Sequence, residues 1–380
     1  MTPPKTLVLE LPSPRDTCPM ACLHCIHKNV EKSSYPKLSH DEIVKLLKEG
    51  RKIGIEFLNI YPHDDEISLE PMHSFPYIKL GYELGYKVKT VSNGANPNGI
   101  KKLLPYLYRI ALSVDAVDIE TYASMRLTRY HEGLLKSMQL VKAYRKRHPL
   151  YATALIVVNK ETLNGIEKEV KNIYKLDMFD KIKILEMLPI GSAKTLKHQT
   201  LNEKNDLDNL AKLRLDYQGK VDIGTPLWRV RKESQRGCQL GYKDMVIGPN
   251  GQLSGCSLLF YLNNLVGNLR AYKTLGEAWE KAFDFFRHKE NFAVSPVCKS
   301  CAFYKHDLCW GGCGARASMF GVSKELERSC GIKSQEESEE LYLGYLKSEI
   351  DGSFLMPILA NREHKKYPYL LKEFKMIKNK

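Results

Sequence analysis

Apolar positions in the first 195 residues fall into short dense runs separated by longer stretches of helical spacing. The runs Thr6–Leu11, Ile55–Tyr61, Tyr86–Ser92, Arg109–Val114, Ala152–Val158 and Lys181–Leu188 have the length and composition of strands. The stretches between them read as amphipathic helices. The clearest begins at Ser39. Ser39 and Glu42 are spaced as a capping box, with Leu38 and Ile43 placed as a hydrophobic staple; Ile43, Leu46 and Leu47 then mark one buried stripe. Further helices are predicted near 73–84, 131–147, 162–176 and 202–217. Strand and helix alternating through short connections imply a parallel sheet with right-handed crossovers. Six such units predict an open barrel with its site at the C-terminal strand ends.

From about Trp228 the texture changes. Met245 to Cys256 reads as a hairpin with Pro249-Asn250-Gly251 as its turn. Gly- and Cys-rich segments follow, with one convincing helix near Leu275–His288. A region this poor in apolar core needs staples. The last stretch, 334–380, is helical and charged, broken at Pro357 and Pro368. The expected fold class is α/β: a partial (β/α)6 TIM-like barrel over residues 1–225, a small Cys-rich α+β domain over 226–335, and a helical tail over 336–380.

The 380 residues include 58 Lys and Arg against 44 Asp and Glu, a net charge of +14. That charge permits an anionic partner, but the basic residues are spread along the chain. They are not interleaved with aromatics as a base-stacking groove would require, so nucleic acid is not the expected partner. The ten cysteines change the picture more. Cys18, Cys22 and Cys25 form one group; Cys238, Cys256, Cys298, Cys301, Cys309, Cys313 and Cys330 form another. The N-terminus lacks the pattern of a secretory signal, and no stretch of 18 apolar residues could span a membrane. A cytoplasmic location is expected, and clustered cysteines there point to metal ligands or catalytic thiols.

Cys18-x3-Cys22-x2-Cys25 follows the first strand directly. Three thiolates on a short loop can hold three corners of a [4Fe–4S] cube and leave one iron open. A zinc knuckle with His24 or His27 as fourth ligand is the alternative reading. The spacing, its place after the first strand and the six strand–helix units resemble the radical S-adenosylmethionine enzymes over residues 5–225. The resemblance implies that the open iron binds S-adenosylmethionine, whose reductive cleavage yields a 5′-deoxyadenosyl radical that abstracts hydrogen from substrate. It also implies cofactor contacts. His24 would flank the adenine, and Glu66, retained where the family's Gly-Gly-Glu-Pro is otherwise replaced, would lie near the methionine amino group. Ser92-Asn93-Gly94 ends the third strand as the family's Thr-Asn-Gly does. Ser113 and Arg126 would meet the ribose and the methionine carboxylate, and Leu188 ends the sixth strand where the adenine rests.

Cys238, Gly251-x4-Cys256 and Cys298-x2-Cys301-x7-Cys309-x3-Cys313-x16-Cys330 resemble the SPASM extension of these enzymes over 236–335, which carries two auxiliary clusters. A pair of zinc ribbons is the alternative. The family pattern assigns Cys298, Cys301, Cys309 and Cys330 to the second auxiliary cluster. Cys238, Cys256 and Cys313 then hold the first, one thiolate short, a place either filled by Asp244 or left open to a substrate. The expected cofactors are three [4Fe–4S] clusters and S-adenosylmethionine.

The leading expectation is a radical oxidoreductase or maturase acting on a peptide or protein side chain. It would draw on an external one-electron reductant of ferredoxin or flavodoxin type. Only 17 residues precede Cys18, which suggests a separate leader-binding protein or a leader-independent substrate. Oxidation of a tetrapyrrole or maturation of a tungsten cofactor is the second reading, and a basic zinc protein binding nucleic acid is a third from another class. The group that exchanges a proton with the substrate is not named by the sequence. Asp115 and Tyr61 stand at predicted strand ends, where a structural role suits each.

Overall fold

The structure, a computed structural model, describes residues 2–11, 20, 22–27, 35–62, 73–126, 130–201, 210, 213, 216–217, 220–224, 240–321, 323, 332 and 334–347. β1 (Thr6–Leu11), β2 (Phe57–Pro62), β3 (Lys87–Ser92), β4 (Arg109–Ser113), β5 (Tyr151–Val158) and β6 (Lys181–Glu186) form the six expected strands. Each pairs in parallel with the next, and β7 (Val221–Ile223) continues the series beside β6. β8 (Asp244–Ile247) and β9 (Gln252–Ser254) form the expected hairpin, and β10 (Gly267–Asn268) lies antiparallel to β9. β8 also pairs in parallel with β1, from Thr6 opposite Asp244 to Leu9 opposite Ile247. The described strands therefore join one sheet in the order β10-β9-β8-β1-β2-β3-β4-β5-β6-β7. It remains open, as the expected partial barrel should.

Helices fill the crossovers: α1 (His40–Lys52), α2 (Phe75–Glu83), α3 (Pro97–Leu103), α4 (Ile119–Met125), α5 (His131–Arg145), α6 (Lys160–Leu163) and α7 (Ile166–Lys175). α1 starts at the capping box expected of it. Ser39 Oγ accepts the Glu42 amide at 3.2 Å, and Glu42 Oε2 accepts the Ser39 amide at 2.8 Å. α3 and α4 were not foreseen. Each is a two-turn element whose start is set by a side-chain cap, Asn96 to Gly99 and Asp118 to Thr121, more than by apolar periodicity. The helix expected over 162–176 is divided at Asn164–Gly165. Leu210, Leu213 and Asp216 are helical; the rest of the helix expected over 202–217 lies almost wholly outside the described residues.

Strand parity separates two faces. A Cβ on Gly81 of α2 would stand 2.5 Å from Leu58, so Leu58 faces the helices. Its register partner Leu7, with Leu9 and Leu11, shares that face and is fully buried. Thr6, Val8 and Glu10 alternate to the inner face. There Val8, Val246 and Phe260 form a small core, with Tyr61, Tyr261 and Leu265 packed against it.

By compactness the chain divides into Met1–Thr200, Tyr217–Gly224 and Leu240–Arg287 as one unit, and Leu201–Asp216, Thr225–Gln239 and His288–Lys380 as another. The expected boundary at 225/226 and this division differ over Leu240–Arg287, which stays with the barrel unit, and over Leu201–Asp216, which does not. In the second unit, helices Pro296–Ser300, Ala302–Lys305 and Gly314–Phe320 precede helix Gln335–Lys347. Ser338 Oγ accepts the Ala302 amide at 3.0 Å, and Tyr342 stacks on His306 with centroids 4.4 Å apart. Residues of the expected tail beyond 347 lie outside the described set. No helix among the described residues is long and apolar enough to cross a membrane.

Candidate active site

Cys22, His24 and Cys25 sit on the loop that follows β1, at the C-terminal end of the sheet; Cys18 lies outside the described residues. Two segments hold the loop, the end of α4 and the turn that follows β6. The Leu23 amide donates to the Met125 carbonyl at 3.3 Å, and the Ser192 amide to the Cys25 carbonyl at 2.8 Å. Gly191 makes the second contact feasible. Its φ is +60°, and an added Cβ would lie 2.1 Å from the Cys25 carbonyl oxygen and 2.8 Å from Ile26 Cα. The expected strand end at Leu188 leads into this glycine through Pro189 and Ile190.

Arg126 is the hub beneath the loop. Its Nε donates to Asp115 Oδ2, its Nη1 to Cys22 Sγ at 3.2 Å, and its Nη2 stands 3.2 Å from His24 Nε2. Asp115, at φ +51° just past β4, also accepts the Val157 amide at 2.8 Å. Arg126 and Asp115 are 9% and 4% exposed, so each charge depends on the other. Burial alone would push the Arg126 guanidinium down, but the Asp115 charge outweighs it and holds the group well above its ordinary value. Burial would likewise push Asp115 up; Arg126, His24 and the Val157 amide together hold it below the ordinary carboxylate range. Burial lowers His24 to about 4, with Asp115 opposing and Arg126 assisting, so its ring is neutral near pH 7.

That neutral ring has one donor. Nη2 of Arg126 can only donate, so His24 Nε2 is the acceptor and Nδ1 carries the proton. Nδ1 is buried and has no hydrogen-bond partner among the described residues. A buried donor at the cysteine loop suits a bound group that brings an acceptor, and the guanidinium beside Cys22 favours the thiolate, the form that ligates metal. On both counts the site fits the cluster and cofactor expected from the spacing.

Ser92 and Asn93 are buried at the end of β3, where they shape the turn: Ser92 Oγ accepts the Gly94 amide at 3.0 Å and Asn93 Oδ1 the Ala95 amide at 2.8 Å. Ser113 ends β4. Leu188 lies just beyond β6, its carbonyl accepting the Ile190 amide at 2.8 Å. Glu66 lies outside the described residues. The fold thus joins His24, Arg126 and Cys22 directly and sets Ser92, Asn93, Ser113 and Leu188 at strand ends.

Sequence reasoning passed over Glu10. It is 1% exposed, and Tyr261 Oη donates to its Oε2 at 2.8 Å while standing 3.0 Å from His27 Nδ1. The one signal was a glutamate at an inward-facing position of an otherwise apolar strand.

In the second cysteine group, Cys238 and Cys330 lie outside the described residues. Cys256 Sγ accepts the Leu259 amide at 3.4 Å and caps helix Ser257–Tyr261. Asp244 begins β8 and Cys256 lies two residues past β9, both at the open end of the hairpin. Cys298 and Cys309 are near enough to Cys301 for mutual electrostatic influence. Burial first, then Cys309 and Cys301, push Cys298 up to about 12; burial also raises Cys309, against backbone bonds from Gly312 and Gly311. No disulfide joins the described cysteines. Among the described residues no three His, Cys, Asp or Glu side chains stand at metal-binding spacing, and each expected ligand set has a member outside them.

Residues 238–302 match the SPASM family, an iron–sulfur cluster-binding domain. No curated protein sequence matches the chain. Among solved structures, SuiB of Streptococcus suis bound to S-adenosylmethionine is 18% identical with a TM-score of 0.62, covering 83% of this chain and 74% of that one. SuiB bound to the precursor peptide SuiA gives 17% identity and 0.64, covering 84% and 73%. Native anSMEcpe with bound AdoMet and the Kp18Cys peptide gives 18% and 0.64, covering 100% of both chains. The expected radical S-adenosylmethionine fold with a SPASM domain is the one observed. The matched domain is one that binds iron–sulfur clusters, and SuiB and anSMEcpe were each solved with S-adenosylmethionine bound.

Proposed function

We propose that this chain, a radical S-adenosylmethionine enzyme by its fold with a SPASM iron–sulfur domain, acts on a side chain of a peptide or protein and leaves it oxidised, crosslinked or otherwise matured. The observation that carries the reading is the buried array of Arg126, Asp115, His24 and Cys22 under the cysteine loop. When bound, a cluster held by Cys18, Cys22 and Cys25 together with S-adenosylmethionine supplies abstraction of a hydrogen atom from substrate. The protein's own share is placement. Arg126 fixes the Cys22 thiolate, Asp115 fixes Arg126, and His24 offers its Nδ1 donor to the bound cofactor. Glu66, Ser92, Asn93, Ser113 and Leu188 complete the cofactor side in this reading. Cys298, Cys301, Cys309 and Cys330 hold one auxiliary cluster, and Cys238, Cys256 and Cys313 hold the other, with Asp244 making up the missing thiolate.

The peptide substrate rests on two supports. SuiB and anSMEcpe, which share the fold, have each been seen with a peptide. The net charge of +14 also favours an acidic segment. A ferredoxin- or flavodoxin-type donor supplies the electron, and a separate leader-binding protein presents a substrate that needs one. The reducing cytoplasm suits thiols kept for metal.

The test is anaerobic reconstitution followed by reduction with S-adenosylmethionine and host peptide fractions. Formation of 5′-deoxyadenosine with a mass change in a peptide is the expected result. Deoxyadenosine without any peptide change would move the reading to a small-molecule substrate. Zinc in place of iron, with no deoxyadenosine, would end it.

A further inference from the structure

Glu10 is a carboxyl buried on the inner face of the barrel, one residue before the end of β1 and in register with Tyr61 of β2. Among the described residues the groups that act on it are hydroxyls, those of Tyr261 and Ser257, and none is a cation. This distinguishes it from Asp115, which Arg126 keeps ionised. Tyr261 reaches from helix Ser257–Tyr261 to hold Glu10 at 2.8 Å, and the same hydroxyl stands 3.0 Å from His27 on the cysteine loop. Glu10 is thus one hydroxyl away from the loop that carries Cys25, facing the interior of the barrel. The mechanism above gives it no task, and a buried acid held by hydroxyls is costly to keep for packing alone.

We infer that Glu10 is the proton acceptor for oxidation of the substrate inside the barrel, with Tyr261 as the residue that positions it. The inference rests on the enzymatic reading above. Removal of a hydrogen atom leaves a radical on a substrate carbon bonded to an O–H, N–H or S–H group. Formation of the C=O, C=N or C=S bond then releases one proton and one electron. That electron needs an acceptor, which an iron–sulfur cluster held by the SPASM cysteines would supply, being reduced by one. The proton passes to the Glu10 carboxylate as the substrate O–H, N–H or S–H bond breaks and a carboxyl O–H bond forms.

The surroundings suit that task. Burial raises Glu10 to about 7, against the lowering effect of Tyr261 and Ser257, so the acid and the base are both available near neutral pH. Tyr61 and Tyr261, the titratable groups facing it from β2 and from the helix, are both pushed upward by burial and by Glu10 itself, Tyr61 to about 12. They stay protonated near neutral pH. Arg109 and Asp244 act on Tyr61 with opposite signs. Lys89 lies a layer lower, in register with Asn59, and burial lowers it to about 8.

The test uses the full chain, with Glu10→Gln, an uncharged mimic of the protonated acid, and Glu10→Asp. In the cluster-free protein, infrared spectra should show a protonated carboxyl band that fades as pH rises through about 7 and is missing from Glu10→Gln. In the reconstituted enzyme, the ratio of modified peptide to deoxyadenosine should rise with pH through the same range. It should fall by about a hundredfold or more in Glu10→Gln, lose that pH dependence, and recover in part in Glu10→Asp. A missing carboxyl band, or a Glu10→Gln ratio equal to wild type, would overturn the inference while leaving the enzyme reading intact. Absence of deoxyadenosine from the wild type would overturn both.

Discussion

Arg126 shows how much one side chain decides. Three groups share its guanidinium, and two of them, Asp115 and Cys22, are buried with it. Lysine offers no planar fork, so Arg126→Lys should keep the charge but lose the geometry. Arg126→Leu should cost on the order of 3–5 kcal/mol, because it strands the Asp115 carboxylate; urea denaturation of the cluster-free protein measures it. Double replacement, Arg126→Leu with Asp115→Asn, should recover part of that loss. Glu10 gives the opposite kind of effect. Its folded value lies above its ordinary one, so its contribution is whole in acid and is lost as pH rises from about 4 to about 7. Glu10→Gln should therefore be more stable than wild type at pH 8 by about 3 kcal/mol, with the difference vanishing near pH 4. Equal stability of the two at both pH values would contradict a buried neutral acid. Arg126 was legible as a candidate from its place after the fourth strand. Its partner Asp115 was legible only as a strand-end residue, since nothing local says that two residues eleven apart share one proton-bonding network.

At the scale of elements, two junctions can be tested. Ser39 and Glu42 close the start of α1, and Glu42 also accepts Arg270 Nε at 2.7 Å and Nη2 at 3.0 Å. Ser39→Ala should cost about 1 kcal/mol in denaturation experiments. Glu42→Ala should cost more, because it also frees the arginine that reaches the carbonyls of Pro36 and Asn250. Faster hydrogen exchange in the hairpin 244–254 is the specific sign of that second loss. The other junction is Gly191 against Cys25. Gly191→Ala should leave the barrel folded but displace the loop, so iron taken up by the first cysteine group should drop while far-ultraviolet circular dichroism stays unchanged. Short dense apolar runs made β1 to β6 readable in the sequence, and the capping box made α1 readable. α3 and α4 were missed because two turns carry too little periodicity to register.

For the whole molecule, the cysteine count and the charge set the expectations. Three cubane clusters require about twelve irons per chain, and metal and sulfide assays after anaerobic reconstitution check that. Asp244→Ala should alter the electron paramagnetic resonance signal of one reduced cluster and leave the others as they were. Binding of an acidic peptide should weaken severalfold between low and physiological salt, as exposed charges are screened. The strand–helix order and the cysteine spacings were determined by the sequence itself, because both rest on neighbours within a few positions of one another. The tertiary structure alone decided that the hairpin from residue 244 would dock in parallel on β1, and that Tyr261 would meet Glu10 across 251 residues. Such pairings leave no periodic trace. They form when burial removes water from a polar group and the nearest donor, whatever its distance along the chain, takes its place.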